Sequence, residues 1–154
     1  MKEDFQNIIE QNPNANLIPP EELDIIRIKL GKSKRKESDW TIIKDILYRH
    51  DLIVMEPEKK DRYYPVYDHI MSEDGILVAF TSVDECMKHV RWLNEEDGTP
   101  EREFLIGSMP FEQAVQTADE HGRDLIIDPA MDGRTKCMLY LPDSHEIKAV
   151  TMLR

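Results

Sequence analysis

The stretch GILVAFTSVDECMKHV at positions 75–90 most constrains how this chain can fold. Ile76, Leu77, Val78, Ala79 and Phe80 form an unbroken apolar run that opens after Asp74-Gly75. An apolar run of that length fits a strand covered on both faces, because a strand with one wet face would alternate. Ser82 follows with Glu85 three residues on, the spacing of a capping box at a helix start. Val83, Cys86, Met87, Val90 and Leu93 then recur at helical offsets and build one apolar helix face. A strand that needs cover on both sides and feeds a one-faced helix requires a layered fold with a sheet at its centre.

The segments before it supply helices. Phe5, Ile8 and Ile9 suggest a marginal helix, and Asn12-Pro-Asn-Ala-Asn16 a loop. Pro19-Pro20-Glu21-Glu22 is a helix start with acids at the positive dipole end. Leu23, Ile26 and Leu30 give that helix its apolar face, and Gly31 suits its end. Ser38 or Asp39 is expected to cap the next helix, whose core side is Trp40, Ile43, Ile46 and Leu47.

Strands are expected at 52–55, as the first strand of the main sheet, and at 63–70, where Pro65 argues for an edge. Residues 72–75 read as the hairpin turn into the central strand. After the central helix, 94–100 is a polar loop. Phe104, Leu105 and Ile106 are a short apolar strand ended by Gly107-Ser108. Pro110 opens another helix, with the stripe Phe111, Ala114, Val115, Ala118 and Gly122 as its left-handed end. Strands at 124–129, 137–141 and 147–153 complete the chain, the last two as a hairpin. The expected fold is therefore α+β, a single domain with a mixed sheet of about six strands flanked by helices. Residues 1–37 read as an N-terminal helical arm and residues 38–154 as the domain proper.

Charge narrows the function classes. Positions 51–154 hold 22 Asp/Glu against 11 Lys/Arg, and positions 1–50 hold nine of each, so the net −11 lies wholly in the second part. A field of that sign repels nucleic-acid phosphates and anionic lipid heads. The basic run from Lys32 to Lys36 lacks interleaved aromatics and reads as a solvated connector rather than a nucleic-acid contact. No apolar segment reaches the roughly 20 residues that span a bilayer. The charged opening MKEDF does not resemble a secretory signal, and two cysteines, Cys86 and Cys137, do not make a disulfide framework. A cytoplasmic location is the expectation.

The order of elements, together with Ala79-Phe80-Thr81-Ser82, Phe104-Leu-Ile-Gly107 and Asp124-Leu-Ile-Ile-Asp-Pro129, resembles the SseB N-terminal domain family. The likeness spans roughly positions 40–141. Where that family usually has Asn-Pro-Gly, this chain has Asp128-Pro129-Ala130. The resemblance implies a small bacterial α/β module acting as an interaction or accessory domain, with no enzymatic chemistry and no cofactor to transfer.

Four constellations invite a search for chemistry. Cys86 and His89, three apart on a helix, are half of a metal site that Cys137 and His69, His121 or His145 would have to complete. Cys86 lies on the apolar face and reads better as core, which leaves His89 without a partner. Asp68-His69, adjacent on a strand, would point to opposite faces, and the second such pair is His50-Asp51. Asp124 and Asp128, evenly spaced on a strand, would face the same way and could bind a divalent ion or act as acid and base. Tyr63, Tyr64 and Tyr67 form an aromatic cluster on an edge strand, suited to a partner that adds a strand.

The reading that follows is a non-catalytic protein-interaction or accessory module. Its acidic surface, with Asp128 and the Tyr63, Tyr64 and Tyr67 edge, would hold a protein partner, and the same edge would serve a homo-oligomer. One alternative is a small metal-dependent hydrolase using Asp124, Asp128 and a histidine. Another is an immunity or antitoxin-like protein whose acidic face neutralises a basic toxin.

Overall fold

A computed structural model describes residues 15–96 and 103–152. The helix expected around Phe5, Ile8 and Ile9 and the end of the loop expected at 94–100 lie outside them. The described elements run α1 (Pro20–Leu30), α2 (Glu37–Tyr48), β1 (Asp51–Pro57), β2 (Val66–Tyr67), β3 (Ile70–Glu73) and β4 (Ile76–Ala79). They continue α3 (Val83–Glu96), β5 (Phe104–Pro110), α4 (Phe111–His121), β6 (Leu125–Ile127), β7 (Cys137–Leu141) and β8 (Glu146–Val150). The α+β class holds, with a six-stranded mixed sheet in the order β2-β3-β4-β6-β7-β8.

The central strand is β4. It pairs with β3 on one side, antiparallel, and with β6 on the other, in the one parallel pair among the described strands. Alternation along β4 and β6 feeds two apolar clusters. Leu77, Ala79, Leu125 and Ile127 meet α1, α2 and α4 through Ile26, Ile43 and Phe111. Val78, Phe80 and Ile126 meet α3 through Val83, Cys86 and Val90. Cover on both faces is what the unbroken apolar run requires. Leu23, Ile26 and Leu30, from the segment read as an arm, are buried in the same cluster as the sheet.

Several local expectations are corrected. Residues 52–55 do not begin the main sheet. They lie in β1, which pairs along its length with β5 in a separate two-stranded antiparallel sheet. β3 and β6 pair with β4 itself, and β1 bridges the chain one residue past its end, where Ile53 pairs with Phe80. β5 in turn does not stop at Gly107. Gly107 and Ser108 pair with Val54 and Ile53, and the strand runs to Pro110.

The strand expected at 63–70 is broken into β2 and the start of β3 by Asp68 and His69, at φ 50° and 68°. Asp and His tolerate that left-handed region better than most residues, so a tight hairpin forms without glycine. β2 is nevertheless the outer strand of its sheet, as Pro65 suggested. The turn expected over 72–75 shrinks to Asp74 and Gly75, both at positive φ, with Ser72 and Glu73 in β3.

Neither Ser38 nor Asp39 caps α2, since both sit inside its first turn after Lys36. Asp39 instead reaches back. Its carboxylate accepts from the Lys36 backbone N–H at 2.8 Å, from Lys32 Nζ at 2.8 Å and from Lys29 Nζ at 3.1 Å. The Lys32 ammonium, the Lys36 amide and Lys29 together hold that carboxyl well below the usual carboxylate range. Arg35 donates to the carbonyls of Leu30 and Lys32, both at 2.6 Å. Much of the basic run is therefore spent on joining α1 to α2.

Candidate binding cleft

β4 and β6 run parallel, so their C-terminal ends leave the sheet side by side. In open sheets with parallel strands, that end is where ligands most often sit. After β4 the chain continues as Phe80, Thr81 and Ser82 into α3. After β6 it turns at Asp128, whose φ is 58°. The Asp128 N–H donates to the Ala79 carbonyl at 3.0 Å, one step beyond the strand pairing. The Asp128 carboxylate then accepts two bonds from Thr81, one from its N–H at 2.7 Å and one from its hydroxyl at 2.6 Å. Two short segments 47 residues apart are thereby latched together at the strand ends.

The latch forms one wall of a cleft of about 420 Å³. Leu23, Ile26 and Leu30 of α1 line it with Ile127 and Ala130, and Arg27, Glu85, Arg134 and Lys136 bring charge to it. The size is in the range of small-ligand sites, or of one or two partner side chains. Glu85 is held by Arg27 Nη2 at 3.4 Å and Lys88 Nζ at 3.1 Å. Its backbone N–H donates to Ser82 Oγ at 3.2 Å, so Ser82 does cap α3, while the Glu85 carboxylate is turned to these cations. Burial pushes the Asp128 carboxyl up to about 6, against the two Thr81 bonds, which pull it down. Cys137 is buried nearby and accepts the Ala130 N–H at 3.2 Å. Burial pushes its thiol up, which disfavours the thiolate a nucleophile needs.

The remaining sequence candidates are dispersed. Asp124 and Asp128 do not form the expected pair. Even spacing places two side chains on one face only if both lie in the strand, and β6 ends between them, with Asp128 leaving it in the left-handed region. Among the described residues, the acidic and histidine side chains close enough to share an ion are Asp68, Glu120 and His121, all exposed, and include neither. Asp68 and His69 lie in a turn rather than a strand and pair elsewhere. His121 is 3.5 Å from Asp68, and His69 is 3.1 Å from Glu56.

Cys86 is fully buried, with its sulfur 3.8 Å from that of Met55. His89 does have a partner. It is 4% exposed, and its Nε2 lies 2.6 Å from Glu73 Oε2, with its ring between those of Phe80 and Trp92. The helix face predicted burial for Cys86, whereas His89, expected to lack a partner, finds one in Glu73, to which nothing local pointed.

The tyrosines split across the sheet. Tyr63 is 64% exposed, with the Arg62 guanidinium 5.2 Å above its ring. Tyr64 packs on the α3-side cluster. Tyr67 packs on the opposite cluster, its ring 4.9 Å from that of His121 and 4.6 Å from the Arg123 guanidinium. They do not make one patch. The cleft residues that sequence reading passed over, Arg27, Arg134 and Lys136, carry no local pattern, since only the fold brings α1 and the loop after β6 to the strand ends. No helix among the described residues is long and apolar enough to cross a membrane. Compared with protein-family models, curated proteins and solved structures, the chain matches none.

Proposed function

We propose that this chain is a non-catalytic interaction module that seats a segment of a protein partner in the strand-end cleft. One observation carries the reading. Apolar Leu23, Ile26, Leu30, Ile127 and Ala130 line the cleft between its charged groups, and among the described residues the lining includes no serine, cysteine or histidine. Its two acids are committed to internal bonds, Asp128 to Thr81 and Glu85 to Arg27 and Lys88. Such a site is suited to holding a side chain and offers little to a reaction that needs a nucleophile with its base. The net charge of −11 favours a partner of opposite sign. The resemblance to an accessory-domain family agrees with this reading.

The test is site-specific photo-cross-linking in the cells of origin. A photoreactive residue at Thr135, on the cleft, is compared with one at Lys148, on β8, and one at Tyr63. A discrete adduct from position 135, absent from 148 and diminished by Glu85→Lys, which puts a cation where a basic partner would dock, is expected. Equal labelling from all three positions would discard the cleft as the binding site. An adduct from 63 alone would move the partner to the tyrosine loop.

A further inference from the structure

Among the described residues, strand β5 has a partner on one side only. Its register with β1 runs from Asp51 opposite Pro110 to Pro57 opposite Phe104. Just beyond the ends of this pairing, the Glu58 N–H donates to the Glu103 carbonyl and the Phe111 N–H to the His50 carbonyl. In an antiparallel ladder both backbone groups of a residue point the same way and alternate along the strand. Residues 103, 105, 107, 109 and 111 thus turn theirs to β1. Phe104, Ile106 and Ser108 turn theirs outward, to an edge that no strand among the described residues covers.

Natural sheets guard such edges with charge, proline or a bulge. This one carries no charge from Phe104 to Met109, and its proline comes only at the end, at Pro110. Leu105 is 51% exposed on it. At Gly107 an added Cβ would meet nothing within 4 Å.

We propose that this edge pairs antiparallel with the same edge of a second copy of the chain, with the twofold axis at Gly107. The hydrogen-bond pattern selects that register. With the axis at Gly107, Ile106 lies opposite Ser108 of the second copy, and both are residues whose backbone groups point outward. Gly107 faces Gly107 as a non-hydrogen-bonded pair, the kind in which the Cα atoms approach to about 4.5 Å, and neither carries a side chain to crowd the other. Leu105 comes to lie beside the Met109 end of the second strand and is covered there. The contact is isologous, so it closes at a dimer and covers the β5 edge of both copies. A second copy is the fitting occupant because the segment is uncharged on a molecule of net charge −11. Along it two acidic copies can meet without setting like charges of the two strands against each other. The pairing is independent of the cleft.

Analytical ultracentrifugation of the full chain at physiological salt tests the pairing. The expected mass is twice 18.1 kDa. Ser108→Pro removes an outward N–H that β1 does not use, and should return the mass to a single chain with unchanged circular dichroism. Leu105→Lys, at an exposed position, provides a second variant that keeps the fold, with the same expected loss. A wild-type chain that stays at 18.1 kDa up to its highest soluble concentration overturns the proposal, and so does a dimer that survives both substitutions.

Discussion

Asp128 combines two properties that rarely suit one residue. It turns the chain at positive φ, which aspartate tolerates, and it places a carboxylate against Thr81 at the end of the parallel pair. The consequence is a dependence on pH with a definite sign. The carboxyl titrates at 3.8 in an ordinary setting and at about 6 here, with burial as the main cause. Between those values the unfolded chain gives up its proton and the folded chain keeps it. Stability from this group is full below 3.8, declines as pH rises through about 6, and is flat above. Asparagine keeps an acceptor for Thr81, accepts the same φ and cannot ionise. The stability difference between Asp128→Asn and wild type should therefore move by about 1–2 kcal/mol in favour of the variant between acid and neutral pH, less than the full shift because water reaches the half-buried site. Urea unfolding of both proteins on either side of pH 6 measures it, and a difference that does not change with pH would remove burial as the cause. The residue was legible as a strand-end acid. Its partner was not, because Thr81 lies 47 positions away and spacing carries no information at that range. His89 repeats the lesson, since its partner Glu73 is supplied only by the hairpin fold.

Elements were read more reliably than their neighbours. The start of α1 follows from Pro19-Pro20-Glu21-Glu22 and its face from Leu23, Ile26 and Leu30, because capping and periodicity are local physics. What covers that face is not local. An apolar stripe states that cover is needed without saying what provides it. Here the cover is the core shared with α2, α4 and the sheet. Ile26, 2% exposed, makes this measurable. Ile26→Ala should cost roughly 2–4 kcal/mol in chemical unfolding, the penalty of a buried large-to-small change. A loss below about 0.5 kcal/mol, as for a surface site, would mean that α1 stands apart from the core in solution. β1 shows the same limit. Its existence was plain from Leu52-Ile-Val-Met55, yet its partner β5 comes only after three further strands and a helix, beyond the reach of any local pattern. The break between β2 and β3 was hidden for a different reason, since Asp68 and His69 make a turn without the glycine that usually announces one.

At the scale of the molecule, charge separates the two proposed contacts. A net −11 on 154 residues strains the folded state by self-repulsion, whereas local pairs such as Asp39 with Lys29 and Lys32 are short and partly sheltered. Salt screens the long-range term first, because the Debye length falls from about 30 Å at 0.01 M to about 8 Å at 0.15 M. The β5 contact brings two copies of like charge together through an uncharged segment, so added salt should tighten the dimer. The cleft contact, if its partner is basic, gains from attraction that the same salt weakens. The dimer dissociation constant from sedimentation and the yield of the Thr135 cross-link should therefore move in opposite directions as NaCl is raised across that range. A dimer that loosens with salt would mean that ion pairs hold the copies together. The contact would then lie on the charged surface, away from the span between Phe104 and Met109.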